Sequence, residues 1–306
     1  MKIAYYEHNY YHSEILACFL EYFKKYACQL TVYNNRDLSQ WIVYYRRFYH
    51  FERKPIKLFF SEYTQYDHII IGSFDAETSE IVHPSKITVV HMAGEITKVK
   101  NAQIIVLTPL NYRHNFYYIL PVHQFINTHA NKTIDFIIIG RILNHNRNTK
   151  DLINLLNSNL KYNLHIFIRY KTNKKFIESN LISMIQKNPN VVFHQNVNAQ
   201  DLEGYLKSAK FILPLIRKNG SYHNDRLTGS IALAYNYLLP PILDRKTQNI
   251  YQIPGSLVYE NSIMEVIPQA LQMSSSEYAR MVDQLKVERE KIVNNNVQIL
   301  DRLFKK

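Results

Sequence analysis

The chain has 306 residues, 46% of them hydrophobic, with only 7 glycines and 10 prolines; this excludes a low-complexity or collagen-like chain and suits two domains of roughly 150 residues each. A net charge of +12 attracts phosphates, nucleic acid or an anionic membrane face without choosing among them, and a plain solvated basic surface explains it equally. Cys18 and Cys28 give neither a disulfide framework nor a metal pattern, no run approaches the ~18 apolar residues of a membrane span, and Glu7 and Glu21 interrupt the N-terminal apolar segments, so the expectation is a cytoplasmic chain without a secretory leader.

Lys2 to Tyr6 is a short first strand, followed by a polar, aromatic loop from Glu7 to Ser13. Glu14 to Tyr26 has helical periodicity, with Ile15, Cys18, Phe19, Tyr22 and Phe23 on one face and Ser13 available as cap. Leu30 to Tyr33 completes a β–loop–α–β opening. Asp37 to Lys54 interleaves aromatics with Arg; it reads first as an amphipathic helix with snorkelling Arg, and secondarily as a membrane-surface, acceptor or nucleic-acid contact. His68–Ile71, Ile87–Val90 and Ile104–Leu107 are apolar strands with polar ends, namely Gly72-Ser73, His91-Met92-Ala93-Gly94-Glu95 and Thr108-Pro109, as a parallel sheet covered on both faces requires. Asn111 to Lys132 reads as a connection.

A second α/β series begins at Ile134–Ile139, with Gly140-Arg141 directly after the strand and a polar loop at Asn144–Asn148. Helices are expected over Thr149–Leu160, Lys175–Lys187 and Ala199–Ser208, the last stabilised near its start by Asp201, and strands over Leu164–Arg169 and Val191–His194. The stretch from Ala209 to Leu243 then runs through a strand (Phe211–Ile216), a polar loop (Arg217–Arg226), a small-residue helix opened by Leu227-Thr228-Gly229-Ser230, a Pro240-Pro241 stop and the next strand at Ile242-Leu243. In a doubly wound sheet such a loop lies at the carboxyl edge of the strands, where ligands bind. A helix start of Thr, Gly and Ser offers free N–H groups and two hydroxyls to a phosphate, with Arg217, Lys218 and Arg226 nearby in sequence. Leu257–Tyr259 is the last strand, Ile263–Met273 a helix, and Ser276 can cap a final charged helix from Glu277 onward.

Taken in order, IDFIIIGRI, NRNTKDLINLL, NVVFHQNVNAQDLEGYLKSAKFILPL, the Thr-Gly-Ser helix start, PPIL and GSLVYENSIMEVIPQAL resemble the C-terminal, donor-binding domain of GT-B glycosyltransferases, and in particular the retaining family 4-like group. The segment MKIAYYEH…HSEILACFLEYFKKYACQLTVY looks like the family's first strand, acceptor-side loop and first helix. The resemblance implies an α/β chain of two Rossmann-like domains facing a cleft: residues 1–130 on the acceptor side, 131–275 binding a nucleotide-sugar, and 276–306 a C-terminal helix packing back on the first domain. It implies Arg141 on the donor diphosphate, with Arg147 or Lys150 as second basic residue; Gln195, Asn196 and Val197 at the base; and His91 near the sugar and acceptor as a catalytic candidate. Tyr222 and His223 fall near the donor sugar in the same scheme. The chain departs from the family where two Glu seven apart are usual: Asn224-Asp225-Arg226 and Thr228-Gly229-Ser230 stand there instead. Asp225 can replace the first Glu; the second has no acidic replacement. Asn9-Tyr10-Tyr11-His12 stands where a Gly pair is usual.

The implied activity is transfer of a hexose-type sugar from a UDP- or GDP-sugar to a glycan, lipid-linked or protein acceptor in glycan biosynthesis. No metal or further cofactor is expected, nor a nucleic-acid partner, and an anionic membrane can be touched peripherally. The leaving diphosphate gains charge as the C–O bond breaks, and without a metal it must be stabilised by preorganised groups such as Arg141, Arg147, Arg226 and the Thr228–Ser230 turn. An inverting enzyme needs a base, for which His91, His12 and Glu7 are candidates; a retaining one does not, and both stay open. Two rival readings are a GT-B-shaped sugar-nucleotide epimerase and a degenerate module that binds nucleotide or glycan without turnover.

Overall fold

The computed structural model describes residues 1–7, 14–34, 45–47, 49–56, 60–74, 83–91, 93–109, 116–124, 131–168, 177–218, 220–224 and 226–304. The chain divides into two compact units: Met1–Phe125 with Asp225–Leu227 and Glu290–Lys306, and Ile126–Asn224 with Thr228–Arg289. Both are α/β, and no described helix is long and apolar enough to cross a membrane.

In the first unit β1 (Lys2–Glu7), β2 (Gln29–Asn34), β3 (Glu52–Lys54), β4 (His68–Ile71), β5 (Lys86–Val90), β6 (Gln103–Val106) and β7 (Tyr117–Tyr118) form one parallel sheet, ordered β3-β2-β1-β4-β5-β6-β7. Its central strands are buried along almost their whole length, which is why they read as continuous apolar runs rather than alternating ones. The first strand extends one residue into the expected loop because Glu7 pairs with Asn34. Helix α1 (Glu14–Phe23) stops three residues early, its end tightened by the 3₁₀-type bonds Lys25 N–H to Tyr22 O and Tyr26 N–H to Phe23 O. Within the aromatic, basic run expected to be helical, Glu52–Lys54 is instead an edge strand, a position that tolerates charged side chains. Residues 35–44 and 48 of that run and its flank, like the expected cap Ser13 and the loop residues His8 and His12, lie outside the described residues.

Tyrosines replace aliphatic residues over part of this core. Tyr6 stacks on Tyr33 (4.6 Å between centroids, 6° between planes), Tyr63 meets Tyr6 edge-on, and the Tyr33 and Tyr66 hydroxyls share a 2.8 Å hydrogen bond. The last turns of the C-terminal helix complete the unit: Phe304 stacks on Tyr22 and meets Phe23 and His68 edge-on, while Asp301 accepts from the hydroxyls of Tyr22 (3.0 Å) and Tyr26 (2.5 Å).

The second unit runs β8 (Ile134–Ile139), α2 (Thr149–Leu156), β9 (Leu164–Ile168), α3 (Ser179–Lys187), β10 (Val191–Gln195), α4 (Ala199–Ser208), β11 (Ala209–Ile212), α5 (Ser221–Asn224), α6 (Gly229–Asn236), β12 (Ile242–Asp244), α7 (Arg245–Tyr251), β13 (Leu257–Tyr259), α8 (Ile267–Gln272) and α9 (Ser275–Phe304), of which α9 passes to the first unit at Glu290. Four parallel strands are ordered β10-β9-β8-β11, and a parallel bridge from Ile212 to Pro241 sets the β12-β13 pair beside β11. This is the doubly wound order, whose switch point falls between β8 and β11. Asn148, Asn198 and Asp244 cap α2, α4 and α7 with their side chains. Phe136, Ile166, Leu152, Leu155 and Leu181 form the centre of the core, where truncating one Leu to Ala costs about 2–5 kcal/mol.

Several expected boundaries move for identifiable reasons. The strand expected over Phe211–Ile216 leaves the sheet after Ile212, because Pro214 has no N–H and Leu215 is left-handed at φ 47°. The segment Ile263–Met273 is a 3₁₀ turn (Ile263–Glu265) followed by α8, which has Pro268 in its first turn. The final helix is capped by Ser274, not Ser276: the Ser274 hydroxyl accepts from Glu277 N–H while Glu277 accepts from Ser274 N–H.

Between this sheet and α4 lies a cluster of His165, Phe167, His194 and Tyr205. His194 stacks on Phe167 (4.2 Å), and its Nε2 sits 3.0 Å from His165 Nδ1. Burial, helped by the neighbouring His194, pushes His165 down to about 4, and burial lowers His194 as well. The unfolded chain takes up these protons near 6.5 and the folded one only at lower pH, so stability present above ~6.5 is lost as pH falls toward 4. Thermal melts at pH 7 and pH 5 are expected to show this loss, and His165→Phe to shrink the difference. An unchanged difference in the variant would assign the pH dependence elsewhere.

Candidate functional site

The carboxyl edge of the second unit's sheet carries the densest set of constrained polar groups. At the end of β8, Gly140 adopts φ 98°, open to glycine and strained for other residues, and turns the chain into Arg141. At the end of β11, Leu215 holds φ 47°, rare for a bulky side chain and of the kind that persists where surroundings over-determine it. At the end of β10, Asn196 is left-handed at φ 55°, its N–H bonded to Ile168 O.

Arg147 joins two of these strand ends. It is only 4% exposed, yet its guanidinium faces backbone: Nε donates to Arg141 O (3.2 Å), Nη2 to Ile139 O (3.0 Å) and Nη1 to Pro214 O. Its Cζ lies 5.6 Å from the Tyr222 ring centroid. The left-handed Leu215 sits next to Pro214, the last of these acceptors, and its own carbonyl accepts from Asn148 N–H (2.6 Å). Burial lowers the pKa of Arg147, partly offset by Tyr222, but an Arg stays charged in proteins. Among the described residues no carboxylate pairs with it, so a positive charge stands at the switch point, solvated by carbonyls and one aromatic face.

Helix α6 starts at the same edge. Thr228 is its N-cap but makes no side-chain cap bond, Gly229 is exposed, and the buried Ser230 hydroxyl meets no hydrogen-bond partner among the described residues. The first turn contains no acidic residue, in contrast to Asp151 in α2 and Asp201 in α4. The helix therefore presents unsatisfied donors and positive dipole with no anion of its own.

Upstream of α6, His223 on α5 packs onto the end of β12. Its Nε2 is 2.8 Å from Thr247 Oγ1 and 3.6 Å from Asp244 Oδ1, while Thr247 donates its hydroxyl proton to Asp244 Oδ2 (2.5 Å) and its N–H to Asp244 Oδ1 (3.0 Å). Burial on its own would raise the Asp244 carboxyl, but the bonds from His223 and Thr247 outweigh it and the net direction is down. Arg217 and Lys218 reach the carbonyls of Asn144 (2.7 Å) and Glu260 (3.2 Å), fastening the start of the polar loop.

The structure gathers Arg141, Arg147, Tyr222, Thr228, Gly229, Ser230, Gln195 and Val197 in this one unit. Gln195 is exposed and Val197 half-buried on either side of Asn196. Arg226 belongs by its contacts to the first unit instead, and Asp225 lies outside the described residues. In the first unit His91 follows β5, with Nε2 2.9 Å from Gly72 O and 3.2 Å from Ser73 Oγ. A carbonyl only accepts, so the Gly72 contact places the proton on Nε2. Buried Glu7 ends β1 beside Gly72, where an added Cβ would fall 2.6 Å from its carboxylate. The Asp244–Thr247 anchor was not anticipated; the signal was present as a D-x-x-T pair directly after a strand.

No family model matches the chain, and no curated protein matches it by sequence. Solved structures do match over nearly the whole length. HepE of Anabaena in complex with UDP and glucose shares 10% identity, covering 99% of both chains, with a TM-score of 0.67. An α-glucosyltransferase in complex with UDP and a 13-mer DNA shares 13% identity, covering 100% of both chains, with a TM-score of 0.63. A glycosyltransferase from Rickettsia africae shares 10% identity over 99% of this chain and 96% of that one, with a TM-score of 0.62. The fold is accordingly that of the GT-B glycosyltransferases, built from two Rossmann-like units.

Proposed function

We propose that the chain is a glycosyltransferase that takes a sugar from a nucleoside-diphosphate sugar, bound by the second unit, to a glycan, lipid-linked or protein acceptor. The observation that carries this reading is the uncompensated, carbonyl-braced Arg147 at the switch point, in the same unit as a helix start that holds unsatisfied donors and no acid. A diphosphate is the ligand that both features call for. UDP is the favoured nucleotide, since the HepE and α-glucosyltransferase structures were obtained with it. Arg141 contacts the diphosphate, Gln195 and Val197 flank the base, Tyr222 borders the sugar, and the charge on the leaving group is met by Arg and N–H groups rather than by a metal. His91 and Asp225 are the catalytic candidates, on the acceptor side and in the donor loop.

A thermal-shift panel with UDP, GDP, ADP, CMP and their sugar conjugates tests the reading. A selective rise is expected with UDP and one UDP-sugar, equivalent to about 2.7 kcal/mol at a hundred times Kd. Arg141→Ala is expected to weaken UDP binding at least tenfold, and chelator to leave transfer unchanged. Affinity unaltered in Arg141→Ala would remove that residue from the site; no shift with any nucleotide would sink the donor assignment. The missing Glu pair favours one second reading, a module that binds nucleotide without turnover, which consumption of any conjugate excludes.

A further inference from the structure

Strands that end a sheet present a row of unpaired N–H and C=O groups and are normally shielded by charge, proline or brevity. Among the described residues, β3 is Glu-Arg-Lys, β7 has two residues and β13 has three. β10 differs: it runs for five residues, Val191–Gln195, contains no Lys, Arg, Asp, Glu or Pro, and pairs with β9 alone. Its outer row follows from the ladder. Asn190 O accepts from Leu164 N–H and Asn196 N–H donates to Ile168 O, so the even-numbered residues direct their backbone to β9, and Val191, Phe193 and Gln195 direct theirs away. Val191 N–H is taken by Asn188 O, which leaves the N–H groups of Phe193 and Gln195 and the carbonyls of Val191 and Phe193. The side chains alternate as well. Val191 and Phe193 pack on the core that includes Leu181 and Ile185 of α3, whereas His194, on the other face, stacks on Phe167 beside Tyr205 of α4. Val192 shares that second face, lies in register with His165, and is 43% exposed.

We propose that β10 is a self-association surface: two copies of this chain pair their β10 strands antiparallel about a twofold axis at Phe193, joining the two sheets edge to edge. In that register Phe193 exchanges N–H and C=O with the partner's Phe193, and Gln195 N–H donates to the carbonyl of the partner's Val191, in both directions, so that four backbone bonds form from the groups left open. Val192 falls opposite the partner's His194. The most exposed apolar side chain of the strand then covers the outer side of a His-Phe-Tyr cluster, and each copy supplies both halves of the match. This self-complementarity is what favours a second copy over an unrelated strand: the interface is isologous and closes at two chains, and a strand without formal charge meets itself without repulsion. Only the backbone of Gln195 is used, so the side chain stays available beside the donor base, and the proposal does not depend on the donor-site reading.

Sedimentation velocity of the full chain over about 1–200 µM is expected to show a monomer–dimer equilibrium with a Kd in the micromolar range, as suits a short strand pair. Val192→Lys puts a charge on an exposed strand position, where the monomer tolerates it, and is expected to weaken the dimer at least tenfold with the far-UV circular dichroism unchanged. The register has its own test. Residues 192 and 194 of different copies form a non-hydrogen-bonded pair, with Cα atoms about 4.5 Å apart, within the span of a disulfide. The double variant Val192→Cys with His194→Cys is expected to give a covalent dimer on mild oxidation. Val192→Cys alone, whose two copies sit diagonally, is not, nor is the wild-type chain with Cys18 and Cys28. Wild-type protein that stays monomeric throughout the range overturns the proposal. So does a dimer that survives Val192→Lys, since it must use another surface. Equal cross-linking of Val192→Cys alone would overturn the axis at Phe193.

Discussion

Replacing Arg147 with Met is expected to destabilise the second unit by about 3–5 kcal/mol and to abolish nucleotide binding. Met retains much of the apolar stem that fills the space under the strand ends, so the loss is of the guanidinium rather than of volume. Three carbonyls, those of Ile139, Arg141 and Pro214, lose their donor at once; the bond to Pro214 is buried, where a missing partner costs about 1–3 kcal/mol, and the other two are part-buried. The Pro214 carbonyl suffers most, since the strained turn at Leu215 is held by what it bonds to. Arg147→Lys is expected to recover less than half of the loss, because an ammonium cannot fork to three acceptors set by one plane. Urea unfolding measures this directly: the midpoint should fall with the slope unchanged. An unfolding free energy within about 1 kcal/mol of wild type would mean that water satisfies these carbonyls and that the brace is incidental.

The same residue shows what the sequence could and could not disclose. Gly140-Arg141 directly after an apolar strand, and a basic residue a few positions on, drew attention to this segment because strand ends and glycine turns are written locally. That Arg147 is buried was not legible: in the sequence it is one charge in the polar run NHNRN, and its acceptors arrive from Pro214, 67 residues away. The apolar run Phe211–Ile216 similarly read as one strand, since periodicity registers hydrophobicity and not the left-handed turn at Leu215 that takes the chain out of the ladder after Leu213. The edge strand Glu52–Lys54 escaped because three residues carry no alternation, and its aromatic flank favoured a helix. His223 was visible as a loop histidine, but its meaning depends on Asp244 and Thr247, contributed by a later strand and helix. Strands and helix starts are local and were largely readable; the polar pairings that give the edge its charge are products of the crossing order of the sheet.

Gly229→Asp is expected to stabilise the protein and to weaken UDP binding by about fiftyfold or more, two effects of opposite sign from one substitution. The position is the exposed first residue of α6. Without ligand, a carboxylate beside the helix start satisfies the positive dipole, worth about 0.3–1 kcal/mol, and removing Gly from a helix adds a few tenths. In α2 and α4 the chain has placed Asp151 and Asp201 in this role; in α6 it has not, and Thr228 leaves its cap bond unmade. With ligand, the same carboxylate competes for the N–H groups and repels the diphosphate, an effect that should shrink as salt rises from 0.05 to 0.5 M. Gly229→Ala separates the terms: it should gain only a few tenths of a kcal/mol in stability and bind UDP within threefold of wild type. Melting temperature without ligand and calorimetric Kd, measured on all three proteins, decide the matter. If Gly229→Asp melts higher and binds UDP as tightly as wild type, the anion is not held at this helix, and the absence of acid from its first turn needs another cause. If affinity falls in the Ala variant as well, the glycine is needed for close backbone approach, and the dipole is the lesser part of the site.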